Sequence, residues 1–158
     1  MSDELFDYLA LKAMTVNTDT ASPRVLGLDE LPGNVPTDIC PVRLLLPFGA
    51  GENEGTMIDY TSGNNAFINW KIIDIFLLRP VDAGEGIHTA ADVLVAYARK
   101  YIKVCILNRF LDDAHVLEIK AVTAKPGIIE YPSSSGQYFH GCLCTLTIRE
   151  AVVNPIAN

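Results

Sequence analysis

The sequence predicts an α/β chain of the α+β kind, a small mixed, mostly antiparallel sheet packed by two helices and carrying long irregular loops. Three observations predict it: apolar runs of strand length bounded by Pro and Gly, helical spacing of apolar residues at two places, and two long stretches with no periodicity. A chain of 158 residues fits a single domain, 1–158, long enough to bury a core without disulfides or metal.

Ser2 can cap a first helix whose first turn holds Asp3 and Glu4, and Leu5, Phe6, Leu9, Ala13 and Met14 recur at helical spacing, so a helix is expected from Asp3 to Met14. Residues 15–38 carry Pro23, Gly27, Pro32, Gly33 and Pro36 and read as an extended connector, long enough to wrap the domain or reach a neighbouring subunit. A strand is expected from Pro41 to Pro47, around Val42, Leu44, Leu45 and Leu46. Residues 48–69, rich in Gly, Asn and acids, read as a long loop or hairpin arm. Trp70 to Leu78 is apolar on both alternating faces apart from Lys71 and Asp74, which predicts a central strand covered on both sides.

Thr89-Ala90-Ala91-Asp92 is close to a capping box and predicts a second helix over Ala90 to Leu107, with Leu94, Tyr97, Tyr101 and Cys105 on its apolar stripe. Asn108 to Ala114 reads as a loop and Val116 to Thr123 as a strand. Lys125-Pro126-Gly127 reads as a turn before a short strand from Ile128 to Tyr131. Pro132 to Gly136 is a further loop, Tyr138 to Arg149 the closing strand, and 152–158 a loose tail.

Twelve Lys plus Arg against 19 Asp plus Glu leave a net charge of −7, which disfavours binding to a phosphate backbone and argues against a sequence-specific DNA binder. The N-terminus has acids where a secretory signal needs bases, and no apolar run approaches the ~20 residues of a membrane span, so a chain kept in a cytosol is expected. Cys40, Cys105, Cys142 and Cys144 are expected to be buried free thiols.

His140, Cys142 and Cys144 share one strand face and both residue types bind zinc, but they lack the Cys-x2-4-Cys knuckle, and a fourth ligand would have to be Cys40 or Cys105 in apolar surroundings. No local signature joins a cysteine to His88, His115 or His140 as a nucleophile and base. Ser133 to Ser135 lack the Gly-x-Ser-x-Gly turn, the glycine pairs Gly49/Gly51 and Gly84/Gly86 match no phosphate loop, and Asp112-Asp113 beside His115 reads as a solvated turn. Catalytic residues: none are assigned; cofactor-binding and metal-ligating residues: none. The positive feature is the arm, whose Met57, Tyr60, Phe67 and Ile68 are the candidate partner interface.

The order of helix, connector, strand Pro41 to Pro47, long loop, strand Trp70 to Leu78, helix Ala90 to Leu107 and three strands ending in Cys142-Leu-Cys-Thr-Leu-Thr-Ile-Arg149 resembles the tail terminator proteins of long-tailed bacteriophages over nearly the whole chain. The resemblance rests on size and element order. It implies a structural virion subunit, assembled in the host cytoplasm, that forms a homo-oligomeric ring of six. Such a ring caps the tail tube and joins it to the head. The implied partners are further copies of itself, the tail tube protein and a head-completion or connector protein, with DNA only passing through the channel, no membrane and no enzyme activity. Glu52, Glu54 and Asp59 are then candidate channel-facing acids that would keep DNA from adhering. The connector 15–38 departs from the family's pattern. Two other classes are expected alternatives: a cytosolic small-molecule enzyme with a pocket near Tyr97, Tyr101, His115 and His140, or a monomeric adaptor using the arm for one partner.

Overall fold

The computed structural model describes residues 23–26, 40–47, 57–60, 65–81, 87–111, 117–132 and 134–153. The elements in chain order are β1 (Arg24–Leu26), β2 (Val42–Pro47), β3 (Met57–Tyr60), β4 (Asn65–Pro80), α1 (Ile87–Leu107), β5 (Leu117–Glu130) and β6 (Tyr138–Val153). Five strands form one sheet in the order β1-β2-β4-β6-β5, and β3 pairs with β4. Every pairing is antiparallel except that of β1 with β2. The mixed, mostly antiparallel sheet is as expected. One helix is described, and the predicted helix Asp3 to Met14 lies outside the described residues.

The spine of the sheet is the β4–β6 pair, in register from Asn65↔Val153 to Pro80↔Phe139. β6 occupies one side of β4 along its whole length. β2 and β3 therefore lie end to end on the other side, β2 opposite Ile72–Leu77 and β3 opposite Ala66–Asn69. The strand expected from Trp70 to Leu78 is longer at both ends, and its first residues pair with β3 as a hairpin within the segment 48–69, predicted as a long loop or hairpin arm. Of the connector, Arg24–Leu26 is an edge strand that pins the chain to β2, with Leu26 buried; three residues between Pro23 and Gly27 are too few for a periodic signal. The rest of 15–38 lies outside the described residues.

The predicted turn at Lys125-Pro126-Gly127 is not one. β5 runs through it unbroken, with Pro126 opposite Cys142 and Gly127 opposite Gly141. A strand tolerates a proline whose missing N–H would point to an unpaired side, and at Pro126 the only neighbour of β5 among the described residues is β6. Val152 and Val153, expected in a loose tail, complete β6 opposite Ala66 and Asn65, while 154–158 lie outside the described residues. The helix also starts earlier than its capping-box reading: Thr89 lies inside its first turn and accepts a hydrogen bond from Arg79 Nη2 at 2.6 Å.

Strand alternation divides the core in two. On one face α1 lays Ala90, Leu94, Tyr97, Ala98, Tyr101 and Cys105 over Leu45, Ile72, Phe76, Cys142, Cys144, Leu146 and Ile148. Phe76 and Tyr97 stack there, with centroids 3.9 Å apart and planes 11° off parallel. On the other face Val42, Leu44, Leu46, Ile75, Leu77 and Phe139 form a second buried cluster. The centre of β4 is thus buried on both sides, as its sequence predicts. A bulge at Leu78, between the pairs Leu77↔Gly141 and Arg79↔His140, breaks the alternation and turns Arg79 toward α1.

Gly141 sits where strands crowd. A Cβ there would collide with the Phe76 carbonyl oxygen and lie 3.0 Å from Ile129 Cδ1, whereas at Gly127, directly opposite, nothing lies within 4 Å. Gly141→Ala is expected to lower stability by about 1–3 kcal/mol through overpacking, with Gly127→Ala close to wild type, read as denaturation midpoints in urea.

Candidate functional site

The most heavily buried polar groups lie together under α1. Arg43, between Val42 and Leu44 on β2, and Asp74, interrupting the apolar run of β4, are 0% and 1% exposed. Arg43 opposes Phe76 and Asp74 opposes Leu45, so the two are diagonal neighbours on the helix-covered face. Arg43 Nε donates to Asp74 Oδ1 at 3.0 Å and Oδ2 at 2.8 Å, and Nη2 lies 2.6 Å from Oδ2. From α1, Tyr101 donates its hydroxyl to Asp74 Oδ2 at 2.7 Å, with its ring centroid 5.7 Å from the Arg43 guanidinium carbon.

Burial works against the Arg43 charge, yet the adjacent Asp74 carboxylate more than offsets it and holds the guanidinium above its ordinary pKa. Burial also pushes the Tyr97 and Tyr101 hydroxyls well above their ordinary range, with the Asp74 charge adding to it. Cys105 is pushed up to about 12 by burial and by Asp74. Cys144 is raised by its hydrogen bond with Cys142, whose sulfur is 3.7 Å away, and by burial. Cys105 and Cys144 therefore stay protonated thiols at neutral pH, which makes them poor nucleophiles and poor metal ligands. Inside this centre each charge is answered by a partner, Arg43 by Asp74 and Asp74 by both Arg43 and Tyr101.

All four cysteines are free, three buried and Cys40 half-buried. Among the described residues no group of three or more His, Cys, Asp or Glu is placed to hold a metal, so His140, Cys142 and Cys144 do not converge with a further ligand. His140 is 3% exposed, opposite Arg79 and Ile128. Of the residues suggested for an enzyme pocket, Tyr97 and Tyr101 belong to the core, and His115 lies outside the described residues. Ser134 and Gly136, with φ of 61° and 75°, shape a polar turn between β5 and β6, in which the Gly136 N–H donates to Glu130 Oε1 at 3.0 Å.

The arm residues fall as follows. Met57 and Tyr60 begin and end β3, opposite Asn69 and Ala66. Phe67 and Ile68, both half-buried, are successive strand residues and so occupy opposite faces; Arg149 of β6 covers the Phe67 ring at 4.2 Å. Asp59 is in β3 opposite Phe67, and Glu52 and Glu54 lie outside the described residues.

The opposite side of the sheet has a feature absent from the sequence-based expectations. Residues 109–111 leave α1 and run along the outer side of β5, through a bridge from Phe110 to Glu118 and backbone bonds between Leu111 and Leu117 and between Ile119 and Arg109. Glu118 there binds Arg109 through Oε1 and Arg149 through Oε2, the latter at 3.2 Å. Beyond that point no strand pairs with the outer side of Ala121–Glu130 among the described residues. Beside it Ile106, Leu107 and Phe110 are 67%, 83% and 40% exposed, next to a groove of about 190 Å³ lined by Cys105, Ile106, Arg109, Ile119, Lys120, Ala121 and Val122. A clue existed in the sequence: Ile106 and Leu107 fall off the helical stripe set by Leu94, Tyr97, Tyr101 and Cys105.

No family model, no curated protein and no solved structure matches the chain.

Tyr101→Phe is expected to lower stability by about 1–3 kcal/mol, because it leaves a buried carboxylate short of a donor. Tyr97→Phe is expected to be neutral or stabilising, since the buried Tyr97 hydroxyl has no hydrogen-bond partner among the described residues. Urea unfolding of the two variants checks the contrast. The Glu118 carboxyl is held below its ordinary value chiefly by the Arg109 hydrogen bond, so its contribution is present above about pH 4.5 and is lost as pH falls through the lower folded-state value. Glu118→Gln should accordingly flatten the acid limb of the stability–pH curve.

Proposed function

We propose that the chain is a structural subunit that assembles with copies of itself into a ring, in the manner of the phage tail terminators it resembles, capping a tail tube and joining it to a head. The observation that carries this reading is the group of exposed apolar side chains Ile106, Leu107 and Phe110 near β5, whose outer side over Ala121–Glu130 has no strand partner among the described residues. Large apolar side chains grouped at an unpaired edge favour a protein partner.

Lys125 and Pro126 interrupt that edge. Both residue types block open-ended strand addition, which leaves side-chain docking as the mode of contact and favours a closed assembly over a fibre. Arg43, Asp74 and Tyr101 under α1 are bonded to one another, which supports a role in holding shape better than one in turning over a substrate. In this role the subunit takes no cofactor, its partners are a tail tube protein and a head-completion or connector protein, and DNA only passes through the ring.

Native mass measured over a range of protein concentrations, with imaging of the large species and with isolated tail tubes added, tests the reading. A closed ring, six-membered by the resemblance, that binds tube ends is the expected result. A monomer at every concentration that leaves the tubes unaltered would sink it.

A further inference from the structure

One stretch of this acidic chain is basic. Arg99, Lys100 and Lys103 on α1, Arg109 after it, and Lys120 and Lys125 on β5 are all exposed, half of the 12 Lys and Arg residues of a chain whose net charge is −7. Among the described residues from 99 to 125 the one acid is Glu118, which is bonded to Arg109 and Arg149, while Asp112 and Asp113 lie outside them.

Part of this stretch borders the groove between the end of α1 and the start of β5. Ile106, Ile119 and Val122 are among its walls, and Arg109 and Lys120 are its two charged members. Lys103 stands one turn before Ile106, so the two share a face of the helix. At about 190 Å³ the groove is smaller than the roughly 300–1,000 Å³ of clefts that hold small molecules, a size that suits one apolar side chain of a longer ligand. Pro126 offers no N–H to a partner strand, so such a ligand is held by its side chains and not by a running ladder of backbone bonds.

Apolar walls with cations beside them match carboxylates that flank a bulky apolar side chain. A nucleic acid or a lipid headgroup would use the cations and leave those walls unfilled. The chain's own described side chains offer no such cluster: Asp74, Glu118, Glu130 and Glu150 are each bonded within the chain, and Asp92 stands singly on α1. We propose that the groove receives an acidic peptide segment of another protein, with a Leu or Phe side chain seated between α1 and β5 and the flanking carboxylates drawn to Lys103 and Lys120. Arg109, already bonded to Glu118, frames the site. The inference rests on the reading of the chain as an assembly subunit and names the chemistry of one neighbour. Leu107 and Phe110 lie outside the lining and remain for contact between copies.

A fluorescein-labelled peptide carrying Leu and Phe between Asp and Glu residues tests this by anisotropy against the full chain. Its controls are the same peptide with Asn and Gln for the acids, the same with Ala for Leu and Phe, a single-stranded oligonucleotide of equal charge, and phosphatidylglycerol vesicles. Saturable binding of the acidic, apolar peptide is expected, at least tenfold tighter than that of any control and weakened by salt. Lys103→Glu/Lys120→Glu should weaken it at least tenfold and Ile106→Ala should weaken it too, with circular dichroism unchanged because all three positions are exposed. No saturable binding, equal binding by the lysine variant, or equal binding of a control overturns the docking. So does self-association that the lysine variant abolishes, which would seat a second copy in the groove. Failure of the peptide beside a ring still seen by native mass overturns the docking alone, whereas peptide binding by a chain that never forms a ring upholds the docking and overturns the ring.

Discussion

A carboxylate in the middle of a buried strand forces decisions on everything around it. Asp74 interrupts the most apolar run of the chain and is enclosed on every side, so its charge needs a cation and further donors within hydrogen-bond reach. Arg43 supplies the cation from β2, and this is possible only in the register that sets Leu45 opposite Asp74. Tyr101 supplies the second donor from α1, which ties the helix to the sheet at one rotation and one height. A slip of β2 by one residue would aim the guanidinium at the other face and strand both charges. The ion pair therefore specifies which strand neighbours which and how the helix lies, while the stacked Phe76–Tyr97 pair and the aliphatic residues supply the bulk of the burial.

The elements most legible in the sequence were those where one period dominates. Val42 to Pro47, the apolar part of β4, α1 and β6 are found where spacing placed them, and the core stripe Leu94, Tyr97, Tyr101, Cys105 is buried as expected. Boundaries and edges were less legible for physical reasons. Pro126 and Gly127 are turn-formers by local preference, and only the pairing of β5 with β6 on one side explains why the strand continues through them. β1 and β3 are too short to show alternation and exist because a longer strand offers its open side.

The polar centre was half visible. Asp74 stood out as a charge in an apolar run, but its partner 31 residues earlier could not be told from a surface arginine by local pattern. The apolar rim was harder still, since Ile106, Leu107 and Phe110 are unremarkable singly and gain meaning only when the segment after α1 is seen to run along β5. Interaction surfaces are assembled from residues distant in sequence, so composition and spacing register them weakly.

The length of the β4–β6 pair has a mechanical consequence. Strands of 16 residues extend for about 50 Å, whereas a helix of 21 residues extends for about 30 Å. The helix runs from beside Arg79 to beside Ile119, so the last few pairs, Asn65–Asn69 with Arg149–Val153, lie past its end. At that level β3 flanks β4 on one side while the start of β5 and residues 109–111 follow β6 on the other, so strand pairing alone, with no help from the helix, holds the far part of the sheet in register.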